Sequence, residues 1–183
     1  MTLWVWRHPL AGDARGRCIG HTDLPVDPRR AKRLAHRIRT AARRHQLAHR
    51  VLTSPLQRCA DVGRWLRRWG WQHTVVAALL EMDFGAWDGQ AWADVPLAEV
   101  DAWCTDFLYH APGGGENLFQ VFKRVAAWSA PGGTDEAGRP TLIVGHAGWM
   151  LTRQWLASGK PWPTRAQEWP AAPRHSSLCK ITA

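Results

Sequence analysis

The chain has 183 residues, a hydrophobic fraction of 45% and a formal net charge of +9 at pH 7. This length predicts a single domain over residues 1–183 that can bury a substantial core. No apolar run approaches the roughly 20 residues that a membrane helix needs, and no leader pattern precedes the first strand, so no membrane contact and a cytoplasmic location are expected.

The chain begins with an apolar run over residues 3–6 that predicts a buried strand and delivers Arg7 and His8 into the following turn. Asp27 followed by Pro28 is a helix start signal, and the helix is predicted to run to about residue 45. The first strand and the first helix are therefore separated by a long connection that follows the Arg7-His8 pair.

A basic segment occupies most of this helix. Between Arg29 and Arg50 there are nine Lys or Arg residues and no acidic residue, so the whole positive excess lies here. Because Ala31, Leu34 and Ile38 follow helical spacing, the segment is interpreted as the solvated face of an amphipathic helix. A nucleic-acid or polyanion-binding surface over residues 29–50 is the alternative from another function class.

Apolar periodicity and turn signals predict the rest of the chain. Further strands are predicted at residues 49–54, 73–78, 141–145 and 176–182. Further helices are predicted at residues 55–70, 97–109, 116–128 and 148–157. Loops or turns are predicted at residues 79–89, 112–115 and 131–140. Strands that alternate with helices indicate an α/β fold of three layers (α/β/α), with a mostly parallel sheet and helices on both faces.

Thirteen tryptophans are many for this length. Most of them fall at helical core positions. Trp87, Trp92 and Trp103 lie near the loop at residues 79–89 and either pack in the core or line a pocket for a planar group. The four cysteines are scattered without a Cys-x-x-Cys pair, so no metal site is expected.

Two predicted strands end on a histidine, His8 and His146. Open α/β folds bind ligands at the carboxyl edge of the sheet, where these two imidazoles can meet. A neutral imidazole is a competent nucleophile near pH 7. Arg7 offers a planar fork of donors to phosphate oxygens, and Arg58 lies just inside a helix, whose start attracts anions. With Glu81 as a proton donor, the set indicates phosphomonoester cleavage.

These residues fall in segments that resemble the histidine phosphatase (phosphoglycerate mutase-like) superfamily over nearly the whole chain. The segments are Arg-His-Pro at 7–9, Gly-His-Thr-Asp-Leu-Pro at 20–25, Ser-Pro-Leu-Gln-Arg at 54–58, Glu-Met-Asp-Phe-Gly-Ala-Trp-Asp-Gly at 81–89, Pro-Gly-Gly-Gly-Glu-Asn at 112–117 and Val-Gly-His-Ala-Gly at 144–148. Within the superfamily, the loop at 79–89 and the segment at 18–25 look most like the α-ribazole phosphatase branch.

The resemblance implies a role for each residue of the set. His8 would be the nucleophile that forms a phosphohistidine, and Glu81 would donate a proton to the leaving group. Arg7, Arg58 and His146 would bind the phosphate or another anion. The predicted substrate-binding residues are Arg7, Gly20, His21, Thr22, Arg58, Glu81, His146 and Ala147. No metal or cofactor is required in this scheme.

The resemblance therefore predicts a metal-independent phosphomonoester hydrolase for a small molecule, with α-ribazole 5′-phosphate of cobalamin biosynthesis as the candidate substrate. A broad-specificity small-molecule or sugar phosphatase and a phosphoglycerate-type mutase are the enzymatic alternatives, and a homodimer is compatible with either. Five residues depart from the family pattern, and the changes at Asp88 and Asn117 are the milder ones. Pro9 stands in place of glycine and lacks an N–H, Ala14 stands where many members have asparagine, and His21 stands where relatives of this branch often have arginine.

Overall fold

One five-stranded sheet organises the part of the chain that the computed structural model describes, residues 2–130 and 139–182. Its strands are β1 (Thr2–Arg7), β2 (Arg50–Thr53), β3 (Gln72–Val75), β4 (Thr141–Gly145) and β5 (Leu178–Thr182). The helices are α1 (Pro28–Arg44), α2 (Gln57–Arg68), α3 (Leu97–Thr105), α4 (Leu118–Ala127) and α5 (Ala147–Ser158). The loop predicted over residues 131–140 lies outside the described residues, apart from its last two positions.

The strand order β3-β2-β4-β1-β5 makes β1 and β4 neighbours. The first four strands in this order run parallel, and only β5 is antiparallel, to β1. Arg7 pairs with Gly145 in the β1–β4 register. His8 and His146 therefore leave the sheet side by side at its carboxyl edge, as the two histidine-ending strands predict.

Alternate strand residues pack on opposite helix layers. Leu3 and Val5 of β1 belong to a core cluster with α4 and α5, whereas Trp4 and Trp6 belong to a cluster with α1 and α2. The same division holds on β4, where Ile143 packs on the α4–α5 side. Each face of the sheet thus buries one set of side chains, and the three-layer prediction is confirmed.

Several element boundaries differ from the prediction for local reasons. The helix predicted to begin at Pro55 starts at Gln57, because Leu56 stays extended. The helix predicted from Glu116 starts at Leu118, because Asn117 caps it in a reciprocal bond with Gln120. The strand predicted over 73–78 ends at Val75, and the helix predicted over 97–109 ends at Thr105.

No helix within residues 2–130 and 139–182 is both long enough and apolar enough to cross a bilayer.

Candidate active site

His8 follows the last residue of β1 and is almost fully buried. Its Nδ1 lies 2.7 Å from the carbonyl oxygen of Pro9. A carbonyl oxygen can only accept, so Nδ1 carries the ring hydrogen and Nε2 holds a free lone pair. Burial, and then the charge of Arg58, hold the pKa of His8 well below its usual value. The ring is therefore a neutral imidazole with Nε2 available for attack. Pro9 serves through its carbonyl, so the loss of an N–H at this position leaves the bond intact.

His146 follows β4 and is completely buried. Its ring centroid lies 5.1 Å from that of His8. The Nε–H of Arg58 donates to Nδ1 of His146 at 3.3 Å, and Nε2 lies 3.4 Å from the sulfur of Cys59. Since Nδ1 accepts, Nε2 carries the hydrogen. Burial, then His8 and Arg58, hold the pKa of His146 well below its usual value.

Arg58 is one of the largest fully buried side chains. Beyond its bond to His146, it donates to the backbone oxygen of Thr22 at 2.8 Å and to that of Gly20. None of these three acceptors is a carboxylate, so the guanidinium charge remains uncompensated by a bound anion of the protein. A buried cation held in this way favours an anionic ligand.

The loop that holds Arg58 is itself fixed by Asp88. Its carboxylate accepts backbone N–H bonds from Gly20 at 3.1 Å, from Thr22 at 3.0 Å and from His21. Burial works against ionisation of Asp88, but these bonds and the Thr22 side chain outweigh it and lower the pKa of Asp88. Residue 20 must be glycine here, because a Cβ would lie 2.2 Å from the backbone oxygen of Met82.

Arg7 supplies the second cation. Its side chain donates to the backbone oxygen of Pro173 at 2.6 Å. Its Nε–H is buried and has no acceptor among the described residues. Such a donor is costly unless a ligand accepts from it. The side chain is therefore anchored at one nitrogen while another remains for an anion.

Glu81 is fixed at the start of α5. Its carboxylate accepts from the backbone N–H groups of Gly148 at 3.0 Å, Trp149 at 3.3 Å and Met82 at 3.1 Å. A Cβ on Gly148 would lie 2.4 Å from Oε1 of Glu81, so glycine permits this approach. Glycine at residue 148 thus has a steric reason, because it lets the Glu81 carboxylate approach the N-terminus of α5.

Arg124 of α4 holds the backbone around Glu81, and no motif predicted it. It forms an ion pair with Glu116 at 2.8 Å and donates to the backbone oxygens of Ala78 at 3.2 Å and Leu80 at 3.1 Å. Glu116 also accepts from the backbone N–H of Asp83 at 3.1 Å. The signal in the sequence that could have predicted this ion pair was Glu116, which precedes α4 and lies eight residues before Arg124.

A cavity of 550 Å³ lies beside the reactive end of the sheet. The predicted site residues that line it are Arg7, His8, Arg58, Glu81 and Ala147. The predicted residues that lie outside its lining are Gly20, His21, Thr22 and His146. Gly20 and Thr22 instead bind Arg58, and the Nε2–H of His21 donates to the backbone oxygen of Glu81 at 2.9 Å. Substrate contact by these four residues stays a prediction.

Away from His8 the cavity wall is apolar and aromatic. Trp92 and Trp103 both line it, which favours the pocket interpretation for these two. Trp87 is buried beside the cavity, and its indole N–H donates to Glu99 at 2.8 Å. Further lining residues are Phe84, Phe107, Leu118, Val121, Leu151 and Trp169. No group of three or more His, Cys, Asp or Glu side chains in the described ranges is arranged to hold a metal ion.

Comparisons with known proteins identify the family to which the chain belongs. Residues 3–179 match the family model described as histidine phosphatase superfamily (branch 1). The chain is 31% identical over 157 residues to an adenosylcobalamin/alpha-ribazole phosphatase of Salmonella typhimurium. This match covers 81% of this chain and 75% of the relative. It is 35% identical over 111 residues to a glucosyl-3-phosphoglycerate phosphatase of Mycobacterium tuberculosis, which covers 54% and 49% of the two chains.

Solved structures extend the similarity of fold to the whole chain. A mycobacterial glucosyl-3-phosphoglycerate phosphatase superposes with a TM-score of 0.74 at 25% identity, over 99% of this chain and 89% of that one. An alpha-ribazole phosphatase from Shigella flexneri superposes with a TM-score of 0.73 at 24% identity, over 100% of this chain and 90% of that one. The sheet order and helix layers described above therefore belong to a fold shared with these phosphatases.

Proposed function

The chain belongs to the histidine phosphatase superfamily and is a phosphoric monoester hydrolase, and from this premise we propose that it acts through a phosphohistidine on His8, with Glu81 as the proton donor. The observation that carries this mechanism is the ring state of His8. Its Nδ1–H is held by the Pro9 carbonyl at 2.7 Å, so Nε2 is the atom left for attack, and His8 lines a cavity that Arg7 and Arg58 also line.

The reaction then proceeds in two displacements. Nε2 of His8 forms a bond to phosphorus while the bond from phosphorus to the leaving oxygen breaks, and protonated Glu81 gives its proton to that oxygen. In the second step a water attacks phosphorus, Glu81 takes the proton from the water, and the N–P bond breaks. Arg7 and Arg58 stabilise the charge on the transferred phosphoryl oxygens in both steps.

Trapping the intermediate tests this mechanism. The enzyme is mixed with a ³²P-labelled phosphomonoester and quenched within one turnover in alkali, where phosphohistidine survives, or in acid, where it is hydrolysed. We expect label on the protein in alkali only, and none on His8→Gln, whose amide cannot act as a nucleophile. Folding of the variant is checked by its unfolding transition. Full steady-state activity of folded His8→Gln would overturn the mechanism.

For the substrate, we propose a phosphomonoester whose leaving group carries a flat, uncharged ring system, as in α-ribazole 5′-phosphate. Trp92, Trp103 and Phe107 line the cavity beyond the cations, and aromatic side chains stack on planar groups. Among the described lining residues, the cations are Arg7, Arg17 and Arg58, and Arg17 donates to the backbone oxygen of Gly89 at 2.8 Å. Arg17 pairs with Ala91 beside Trp92, so the proposed preference for an uncharged leaving group rests on the aromatic rings and not on an absence of cations.

A substrate panel tests this preference. Values of kcat/KM are compared for α-ribazole 5′-phosphate, glucosyl-3-phosphoglycerate, 3-phosphoglycerate and ribose 5-phosphate. We expect the first to be preferred, and Trp103→Ala to raise its KM about tenfold, since loss of one stacked ring costs about 1–3 kcal/mol, without changing the inhibition constant of inorganic phosphate. Trp65→Ala, which truncates a half-buried tryptophan in the α1–α2 layer, is the matched control. Preference for a phosphoglycerate would overturn the assignment.

A further inference from the structure

A third histidine, His175, lies against the nucleophile and lines the same cavity. Its ring centroid is 5.2 Å from that of His8, and its Nδ1 lies 3.2 Å from the backbone oxygen of His8. Because a carbonyl oxygen can only accept, Nδ1 carries a hydrogen and donates to it. The atom of His175 that gains or loses a proton is therefore Nε2.

The segment that carries His175 is bound to both members of the Arg7-His8 pair. The backbone N–H of Ser176 donates to the oxygen of Arg7 at 3.0 Å, and the N–H of Arg7 donates to the oxygen of Ser177 at 3.0 Å. The side chain of Arg7 donates to Pro173 in the same segment. These bonds fix the ring of His175 beside His8 independently of the ring's own charge.

We propose that His175 is a further phosphate-binding residue, which takes up a proton when a dianionic phosphoryl group enters the cavity and donates from Nε2 to a phosphoryl oxygen. The proton comes from solvent and returns to it on product release, so the chemical steps at His8 are unchanged. The inference rests on the proposed function in one respect, namely that the phosphoryl group lies beside His8.

The charges around His175 explain why binding would change its protonation. Burial, and then the charges of Arg7 and Arg58, lower the pKa of His175, against the opposing effect of its bond to the His8 carbonyl. A dianion beside these arginines neutralises their charge and favours the imidazolium. The charged and titratable groups that line the cavity with His175, or the adjoining groove of α1, are Arg7, His8, Arg17, Arg58, Glu81, Cys104, Arg30, Arg33 and Arg37.

Binding of sulfate to the intact protein tests the proposal, since sulfate remains a dianion across the neutral range and undergoes no reaction. Calorimetric titrations in buffers of different ionisation enthalpy give both the Kd and the number of protons taken up. Two variants separate the edges of the ring. His175→Asn keeps a donor near the Nδ1 position and removes Nε2, and His175→Gln places a donor that cannot titrate near the Nε2 position.

We expect the wild-type protein to take up more protons on binding sulfate near neutral pH than either variant does. At about pH 6 the Kd of His175→Asn for sulfate should be about tenfold higher than that of the wild type, because one charge-assisted hydrogen bond is lost. This difference in Kd should shrink as the pH rises. His175→Gln should recover part of the affinity without recovering the proton uptake. His49→Asn, which replaces an exposed histidine stacked on Trp71, should behave as wild type.

Equal proton uptake and equal Kd in wild type and His175→Asn would overturn the role of His175 while the phosphohistidine experiment still stood. Absence of sulfate binding to the wild-type protein would overturn it as well. If instead no phosphohistidine is trapped but the proton uptake depends on His175, the proposed mechanism fails and the anion site remains.

Discussion

The ends of β1 and β4 carry the same residue type in opposite ring states. His8 lines the cavity and donates from Nδ1 to the Pro9 carbonyl, which leaves its Nε2 without a hydrogen. His146 accepts at Nδ1 from Arg58, so its Nε2 carries the hydrogen and lies against Cys59. The two rings are 5.1 Å apart, and the pKa of each is held below its usual value with burial as the largest cause.

The difference indicates that the hydrogen-bond partner at Nδ1, more than the pKa or the position after a strand, determines which nitrogen of each imidazole carries the hydrogen. A carbonyl partner leaves Nε2 of His8 free for the proposed nucleophilic role, whereas the guanidinium partner of His146 makes that ring a support for Arg58. Each of the following changes alters one side of this contrast.

The largest expected effect separates the two histidines directly. His8→Gln should lower kcat by at least about ten-thousandfold, because the nucleophile is lost. His146→Gln keeps an N–H near the Nε2 position but removes the acceptor of Arg58. The guanidinium of Arg58 should then be misplaced, and kcat should fall about a hundredfold, the scale on which one transition-state donor acts. Rapid-quench experiments should still trap phosphohistidine in His146→Gln. Equal losses without an intermediate in either variant would contradict the division of roles.

A smaller loss is expected when the proton donor is displaced while both histidines stay in place. In Gly148→Ala the new Cβ would collide with Oε1 of Glu81, because the ideal position of that Cβ lies only 2.4 Å from Oε1. Relief of this contact should displace the carboxylate by about 1 Å, which should cost about a hundredfold in kcat for alkyl phosphates. Aryl phosphates, whose leaving groups need no proton, should be affected much less. Gly12→Ala, whose new Cβ would lie no closer than 3.7 Å to another atom, is the control, and an equal loss for both substrate classes would contradict the role of Glu81.

The smallest expected effect is on stability and follows from the lowered pKa values of His8 and His146. Both groups bind protons more readily in the unfolded chain, so their stabilising contribution is present above the unfolded pKa of about 6.5 and is lost as the pH falls through this value. The free energy of unfolding by urea should therefore decrease from neutral to mildly acidic pH. His146→Gln should show a shallower decrease, and an unchanged slope would contradict the neutral state of its ring.

The basic segment in α1 shows how packing can reinterpret composition. Lys32 lies 5.1 Å from the ring centroid of Trp65, and Arg39 lies 4.6 Å from that of Trp69. These two cations therefore cover aromatic rings of α2. The amphipathic-helix interpretation is consistent with these contacts, and the polyanion-binding alternative stays a prediction.

Much of the site follows from sequence because short segments carry it. The apolar runs ending at His8 and His146 predict two strand ends, and parallel pairing brings them together at one edge of the sheet. The segments around Arg58 and Glu81 carry enough local information to predict the phosphatase superfamily. By contrast, Arg124 and His175 reach the site through contacts with distant parts of the chain, and no motif includes either of them.

The sequence by itself thus determined the fold class and the superfamily, and it predicted the reacting residues, because hydrophobic periodicity and short motifs are local properties. Only the tertiary structure decided which nitrogen of each histidine is free, why residue 148 is glycine, and which imidazole joins His8 from the far end of the chain. Those features depend on hydrogen bonds and close approaches between elements, and a linear pattern does not encode such distances.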